Sequence, residues 1–396
     1  MKILFVNHLK PSAASFLRQF GLGKELSRMG HTVSYIGRRP SDTVRREGKL
    51  SENSRSDFNS EYKKLTYWSE PFEQSIPLNI VKLIEQCRDV DLIHVNKAYP
   101  FTSSLLFAAK FLAGKGIVLD WEDWDGIGGY ISIANKSLPS RFALGFFEEV
   151  VPKSCDSIIT VSKILAERAK LKGIPPDKIF QVPNGFDESL FNDRVSGERV
   201  RQTLGLGSRP TILLVSALHS FEAESFTKIF DSLHFVVRKV PNAVLLIAGS
   251  GDTLRMRKYA DSLGIGKNVE YVGYVPHTVI PEVIAASDVA VHILSDNIYF
   301  RSSSPMVVPE YMAIGKPIVA SAVGELNTML KGGAGILVQH QSPESFGGAI
   351  LKLLLDIDLR EKVGRAAKSR AKENYAYSTL AKMAELAYLK ALETRS

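Results

Sequence analysis

Residues 302–321 read SSSPMVVPEYMAIGKPIVAS. Pro309 and Glu310 open a short apolar segment, Gly315 breaks it, and a β-branched pair, Ile318 and Val319, follows. The order predicts a helix, a glycine stop and a buried strand. Proline fits a first helical turn, where no hydrogen bond is lost with its missing N–H, and Ser304 stands upstream as a candidate cap. Backbone amides around Pro305, Met306, Val307 and Val308 would be left unpaired, and with the helix dipole they suit an anion such as phosphate. Glu310 adds two acceptor oxygens, enough for both hydroxyls of a ribose. A plainer alternative stays open: an acid that only complements its own helix dipole.

The alternation extends in both directions. Strand-like runs begin at Ile3, Thr32, Leu92, Ile117, Ser157 and Ile179, and again at Thr211, Ala243, Val269, Val289 and Gly335. Amphipathic segments separate them. Continuous apolar strands between helices predict α/β architecture with parallel sheets covered on both faces. At 396 residues the chain is too long for one ordinary core and suits two domains. The polar run 38–64 is predicted to be a long loop, and the polar stretch from Phe191 to Pro210 a linker.

Composition narrows the function classes. Apolar residues make up 45% and charged residues 23%, as in soluble globular chains. A net charge of +8 attracts phosphates of any kind without choosing among them. No nucleic-acid motif accompanies it. Cys87 and Cys155 lie in no zinc or redox spacing and fit a reducing compartment. No apolar run approaches the roughly 20 residues needed to cross a membrane, and the N-terminus reads as a strand. A cytoplasmic location is expected.

Short motifs then appear in a fixed order. Met29-Gly30-His31-Thr32-Val33 follows the first helix, and Asp91-Leu92-Ile93-His94-Val95 forms a strand. Val161-Ser162 and Val182-Pro183-Asn184-Gly185-Phe186-Asp187 precede the linker. Leu246 to Gly251, Val269 to Tyr274 and Ala286-Ser287-Asp288-Val289 follow it, and the Glu310 segment closes the series. The ordered set resembles glycosyltransferase family 4, the retaining nucleotide-sugar enzymes of GT-B fold. The resemblance covers almost the whole chain. It implies two Rossmann-like doubly wound domains facing a central cleft: an acceptor domain, 1–190, and a donor domain, 205–375. The closing segment, 376–396, would return as a helix to the first domain.

The resemblance also implies roles. Glu310 would hold the donor ribose and, with Asp123, form the catalytic pair. Ser302, at the family's first-glutamate position, would face the sugar and phosphates with Ser304, Pro305, Met306 and Val307. Gly249, Gly251 and Gly273 would form tight turns near the nucleotide. Leu254 keeps the Gly249-Ser250-Gly251 turn from extending to a dinucleotide fingerprint. The chain departs from the family in charge. Ser216-Ala217-Leu218-His219 replaces its Gly-Arg-Leu and the lysine that follows, and Val307 replaces another lysine. Each lost charge-assisted hydrogen bond is worth roughly 1.5–3 kcal/mol. Arg301, His219 and, more remotely, Lys316 are the cations left for a diphosphate.

On the acceptor side, Ser12 and Ala13 lie in a small-residue loop that permits close approach of a sugar. Asp120-Trp121-Glu122-Asp123-Trp124-Asp125 places four carboxylates at one strand end. Their repulsion requires solvent, a cation or hydroxyl donors. Glu122 and Asp123 are candidates for acceptor hydroxyls, and Trp121 or Trp124 for stacking on a sugar ring; a solvated acidic turn is the alternative. His94 is either an acceptor contact or a packed strand histidine. Asp123-Trp124-Asp125 spells DxD, a manganese motif of a different transferase fold, and no metal is expected here. No cofactor is expected besides the donor substrate, a UDP- or GDP-sugar.

The expected activity is transfer of that sugar to a hydroxyl of a glycan, lipid-linked or small-molecule acceptor. The rival is a catalytically impaired GT-B chain acting as a binding or partner subunit. Phe142, Phe146 and Phe147 beside Arg141 are expected to pack in the core, with peripheral contact at an inner membrane face as the alternative.

Overall fold

The structure, a computed structural model, describes the chain except residues 10–12, 40–49, 51–64, 71–74, 135, 218–222, 341 and 395–396. Most of the loop predicted at 38–64, and the candidates Ser12 and His219, lie outside the described residues.

Two parallel sheets form. The first holds seven strands in the order β3-β2-β1-β4-β5-β6-β7. These are β1 (Lys2–Val6), β2 (Thr32–Gly37), β3 (Leu65–Tyr67), β4 (Leu92–Asn96), β5 (Gly116–Trp121), β6 (Ser157–Thr160) and β7 (Ile179–Gln181). The second holds six in the order β10-β9-β8-β11-β12-β13. These are β8 (Thr211–Val215), β9 (Val244–Ala248), β10 (Val269–Gly273), β11 (Val289–His292), β12 (Ile318–Ser321) and β13 (Ile336–Val338).

The period of two along each strand feeds two cores at once. In β1, Leu4 and Val6 pack on Leu83 and Leu105, while Ile3 and Phe5 pack on Phe16 and Leu22. In β8, Leu213 serves one core and Ile212 and Leu214 the other. The inner strands β4, β5 and β6 leave no face for water and show no polar alternation, which survives only toward the sheet edges, as at Thr32 and Ser34 of β2. Strand order reverses between β1 and β4 and between β8 and β11. Loops leave these carboxyl ends in opposite directions and open the two crevices where ligands of such sheets bind.

The helix Tyr377–Glu393 returns to the first domain. Its Leu380, Ala384, Ala387, Tyr388 and Ala391 are buried beside Ile3, Phe5 and Phe16. Alanine at the contact lets the helix lie close to the sheet, and Ser157 Oγ donates to the Ala387 carbonyl at 2.7 Å.

The chain crosses between domains at two neighbouring points. Val182 packs in the first domain, whereas Phe186, Phe191, Val200 and Leu206 pack in the second. Phe186 pairs in parallel with Ala376 on the returning strand. Gly185 is required there, because a Cβ would stand 2.4 Å from the Tyr375 carbonyl oxygen. The predicted linker is therefore not bare coil: it carries the helix Glu198–Thr203, and its apolar residues belong to the second core.

The aromatic residues of the helix Leu138–Ser154 correct an expectation. Phe142 is 77% and Phe146 50% exposed, and only Phe147 reaches the core. Leu144, Glu148 and Val151 occupy the inner face instead.

Candidate active site

The acidic turn after β5 is built on one buried cation. Arg18, on the helix Ala14–Arg28, is fully buried and meets Asp120 through Nε–Oδ2 at 2.8 Å and Nη2–Oδ1 at 3.1 Å. Its remaining N–H groups donate to the carbonyls of Val182 (2.8 Å) and Pro183 (2.7 Å) and to Asn184 Oδ1 (3.2 Å). Burial works against the Asp120 charge, but Arg18 and His94 outweigh it and hold the carboxyl below the usual range.

His94 is the other partner of Asp120 and corrects the acceptor-contact expectation. It is fully buried, with Nε2 3.2 Å from Asp120 Oδ2 and Nδ1 2.9 Å from the Tyr388 hydroxyl. Both nitrogens are committed inside the core, away from the cleft.

The next two carboxylates find the donors that their repulsion demands. Glu122 accepts from Ser15 Oγ at 2.6 Å and from Asn96 Nδ2. Burial, then the nearby Asp120 charge, pushes its carboxyl up to about 8. Asp123 pairs with Lys97. Lys97 has φ +56, the single non-glycine residue in the left-handed region among the described residues. Such a backbone costs of order 1–3 kcal/mol and persists only where its surroundings fix it. Here the Lys97 N–H donates to the Asp120 carbonyl at 3.0 Å and its ammonium is ion-paired. Asp125 is pushed up to about 6, chiefly by burial. The segment is thus a cation-braced cluster, buried at Asp120 and Glu122 and part-exposed at Asp123 and Asp125.

Trp121 is buried and does not face the cleft. Trp124 carries the Arg168 guanidinium 3.7 Å from its ring centroid and donates Nε1–H to the Ile127 carbonyl at 2.8 Å. One ring face is therefore covered by Arg168, not open to a sugar. Ala13 caps the first helix with its carbonyl, which accepts from Phe16 and Leu17. His8 and Asn96 were not foreseen. His8 stacks on Tyr99 at 4.2 Å, and its Nδ1, like Asn96 Oδ1, is buried without a hydrogen-bond partner among the described residues. Both stand at the β1–β4 crevice.

In the second domain, Glu310 lies in the helix Val307–Ile314 and is 4% exposed. Its Oε1 is 2.7 Å from His277 Nε2, a partner no motif announced. Burial tends to discharge His277, but the Glu310 charge and hydrogen bond outweigh it and raise its pKa. Gly249 has φ +148, and a Cβ there would stand 1.6 Å from the Ser216 carbonyl oxygen. Its N–H donates to the Gly273 carbonyl at 2.8 Å. Gly249 and Gly273 thereby gather the ends of β8, β9 and β10, and Gly251 completes the turn before the Asp252-capped helix.

Several donor-side candidates are placed otherwise than predicted. Ser304 does not cap the helix: Met306 holds that position and Ser304 Oγ accepts from the Asn184 N–H at 3.1 Å. Ser302 is fully buried and turns its hydroxyl back to the Tyr299 carbonyl at 2.8 Å. The short helix Ile298–Ser302 imposes this direction. Arg301 pairs with Asp296 on the surface. Lys316 points the other way and donates to the carbonyls of Ala285 (2.8 Å) and Ser287 (2.6 Å). Pro305, Met306 and Val307 stay part-exposed at the helix mouth.

His292, at the carboxyl end of β11, is a further surprise. Neither ring nitrogen meets solvent or, among the described residues, a hydrogen-bond partner, and burial pulls its pKa down to about 4. An unfolded histidine takes up a proton near pH 6.5 that the folded one refuses. Stability is therefore full above about pH 6.5 and falls as pH drops toward about 4. His292→Leu is expected to flatten that acid limb by about 3 kcal/mol in urea titrations run between pH 7 and 4. An unchanged slope refutes the assignment.

Comparisons with known proteins agree with this layout. Residues 20–190 match the family model described as Glycosyltransferase Family 4, and residues 200–370 match Glycosyl transferases group 1. An uncharacterized glycosyltransferase of Methanocaldococcus jannaschii is 28% identical over 67% of this chain and 66% of its own length. A D-inositol 3-phosphate glycosyltransferase of Acidothermus cellulolyticus is 30% identical over 59% of this chain and 52% of its own. A GDP-mannose-dependent alpha-(1-6)-phosphatidylinositol monomannoside mannosyltransferase of Mycobacterium tuberculosis is 24% identical over 78% of this chain and 77% of its own. Among solved structures, Anabaena HepE in complex with UDP and glucose superposes with TM-score 0.74 at 17% identity, covering 97% of this chain and 98% of that one. Sucrose-phosphate synthase from Thermosynechococcus elongatus gives 0.73 at 18% identity over the whole of both chains. These two share the fold. With both halves matched in order and the sheets arranged as described, the chain belongs to the family 4-type glycosyltransferases of GT-B fold.

Proposed function

We propose that the chain moves a sugar from a nucleoside diphosphate to an acceptor hydroxyl with retention of configuration. The observation that carries this reading is Glu310: a nearly buried carboxylate in the first turn of a helix, beside a part-exposed backbone turn at Pro305 to Val307. That pairing suits a ribose diol and its phosphates. A UDP- or GDP-sugar is supported by one relative that is GDP-mannose-dependent and by a fold neighbour solved in complex with UDP. In a retaining transfer of this kind the acceptor oxygen bonds to the anomeric carbon as the bond to the leaving phosphate breaks, and that phosphate takes the acceptor proton. Glu122 and the Asp123–Lys97 pair would orient acceptor hydroxyls from the facing domain. Domain closure would keep water from the donor. Nucleotide-dependent thermal stabilisation, compared with Glu310→Ala, tests the reading.

One observation favours the rival, a GT-B chain that binds without turnover. Arg301 and Lys316 are both committed elsewhere, and Ser302 has turned inward. Consumption of UDP- and GDP-sugars across varied acceptors separates the two.

A lipid-linked acceptor is favoured by the surface of the first domain. Leu138, Phe142 and Phe146 form an exposed stripe four residues apart, flanked by Arg141 and Lys136. Among the described residues no helix is long and apolar enough to cross a membrane, so contact would be at the surface. The chain is expected to sediment with phosphatidylglycerol-containing vesicles and not with phosphatidylcholine alone. Phe142→Ser with Phe146→Ser should lower the bound fraction several-fold; equal binding by that variant refutes this face.

A further inference from the structure

Asn184 stands where the chain leaves the first domain, and its polar groups are divided between the two halves of the molecule. Its backbone N–H donates to Ser304 Oγ at 3.1 Å, and its Nδ2 donates to the Ser304 carbonyl at 2.6 Å. Its Oδ1 accepts from Arg18 at 3.2 Å. Arg18 is fixed in turn by Asp120, and Ser15 on the same helix reaches Glu122. One amide therefore joins the acidic acceptor-side cluster to the turn ahead of the donor helix.

A second contact runs alongside. Ser162 Oγ donates to the Ser302 carbonyl at 2.6 Å, and the Lys163 N–H donates to Glu325 Oε1 at 2.7 Å. The carbonyls of Ser302 and Ser304, two residues apart on the donor domain, are thus both taken by side chains of the first-domain segments. Two fixed carbonyls determine how the intervening backbone is rotated. They therefore govern the direction of the peptide groups that lead into Met306 and Val307.

We propose that Asn184 is a positioning residue for the donor: it sets the Ser303–Met306 turn so that the helix mouth below Glu310 can seat donor phosphates. The proposal rests on the donor site argued above. The amide is suited to the task because it accepts from Arg18 and donates to Ser304 at once. A carboxylate keeps the first bond and loses the second, with its charge set against a carbonyl. An alanine loses both side-chain bonds and keeps only the backbone contact.

Calorimetric titration with UDP and with GDP on the full chain tests this, using whichever nucleotide the wild type binds. Asn184→Ala and Asn184→Asp are each expected to weaken binding about tenfold, the worth of one well-placed hydrogen bond. Ser304→Ala should weaken it several-fold, and Ser304→Thr, which restores the hydroxyl, should bind within about twofold of wild type. Adding Ser304→Ala to Asn184→Ala should cost less than the two separate losses combined, because the two hydrogen bonds hold the same turn. Wild-type affinity in Asn184→Asp and Ser304→Ala overturns the proposal. If the Asn184 variants do not fold, the Ser304→Ala and Ser304→Thr contrast decides alone. A wild type that binds neither nucleotide overturns the donor site itself, and with it this role.

Discussion

Replacing Arg18 with methionine is expected to cost the fold about 3–5 kcal/mol, the usual penalty for leaving one partner of a buried ion pair alone. The reason lies in how completely the guanidinium is used. All five of its N–H groups are bonded, two to Asp120, two to carbonyls at the domain exit and one to Asn184. Methionine fills much of the volume and satisfies none of these acceptors. Asp120 would stay fully buried with only His94 beside it. Urea unfolding at neutral pH is the measurement, read as a fall in the midpoint. The pH dependence supplies a second check. Asp120 has a folded pKa held below its unfolded value, so its share of stability is present above about pH 4 and is lost as pH falls through the folded value. In Arg18→Met that acid-sensitive share should vanish. A loss under about 1 kcal/mol, the range of an exposed pair, would show that the cluster is not organised by this cation.

Removing the Glu310 carboxylate is expected to have the largest effect on ligand binding. Two hydrogen bonds from a ribose diol to a charged acceptor are worth roughly 1.5–3 kcal/mol each, less what water offers in exchange. Glu310→Ala should therefore weaken UDP or GDP binding about 100-fold. A saturating nucleotide at about 100 times its Kd stabilises the wild type by roughly 2.7 kcal/mol, which a thermal-shift assay detects readily. The same nucleotide concentration should give almost no shift in the variant. The apo variant should lose little stability, because His277, left without its partner, can return to a neutral form. Glu310→Gln separates charge from shape and should fall between the two. Equal shifts in wild type and Glu310→Ala would remove the ribose clamp from the mechanism.

The fold was legible because inner parallel strands buried on both faces leave continuous apolar runs, and among the described residues helices fill most gaps between them. The same burial hid the histidine. In Asp91 to Val95 no face is polar, so alternation had no power to say whether His94 points to cleft or core. Glu310 was legible from proline and glycine marking the ends of its helix. Ser302 was not, because the Asn297 cap that opens the single turn Ile298–Ser302 does not report which way the last hydroxyl of that turn points. Arg18 sits mid-helix between Leu17 and Gln19, and its partners lie 102 and 165 residues away in sequence. No local pattern reports a contact of that span. The stripe of Leu138, Phe142 and Phe146 has the spacing of a core-facing helix, yet the inner face was already filled by Leu144 and Val151. Periodicity identifies an apolar face but not what covers it.

The helix Tyr377–Glu393 has a bearing on how the molecule is made. It lays the floor beneath a sheet whose first strand leaves the ribosome more than 370 residues earlier. Domains generally fold as units while synthesis proceeds, N-terminal part first. Here the second half can close its own core during translation, whereas the half begun earlier must wait, one side uncovered, until this helix emerges. Birth order and folding order are inverted, and nascent chains stalled before Tyr377 should bind chaperones through the surface that Phe5, Phe16 and Leu22 share with the missing helix.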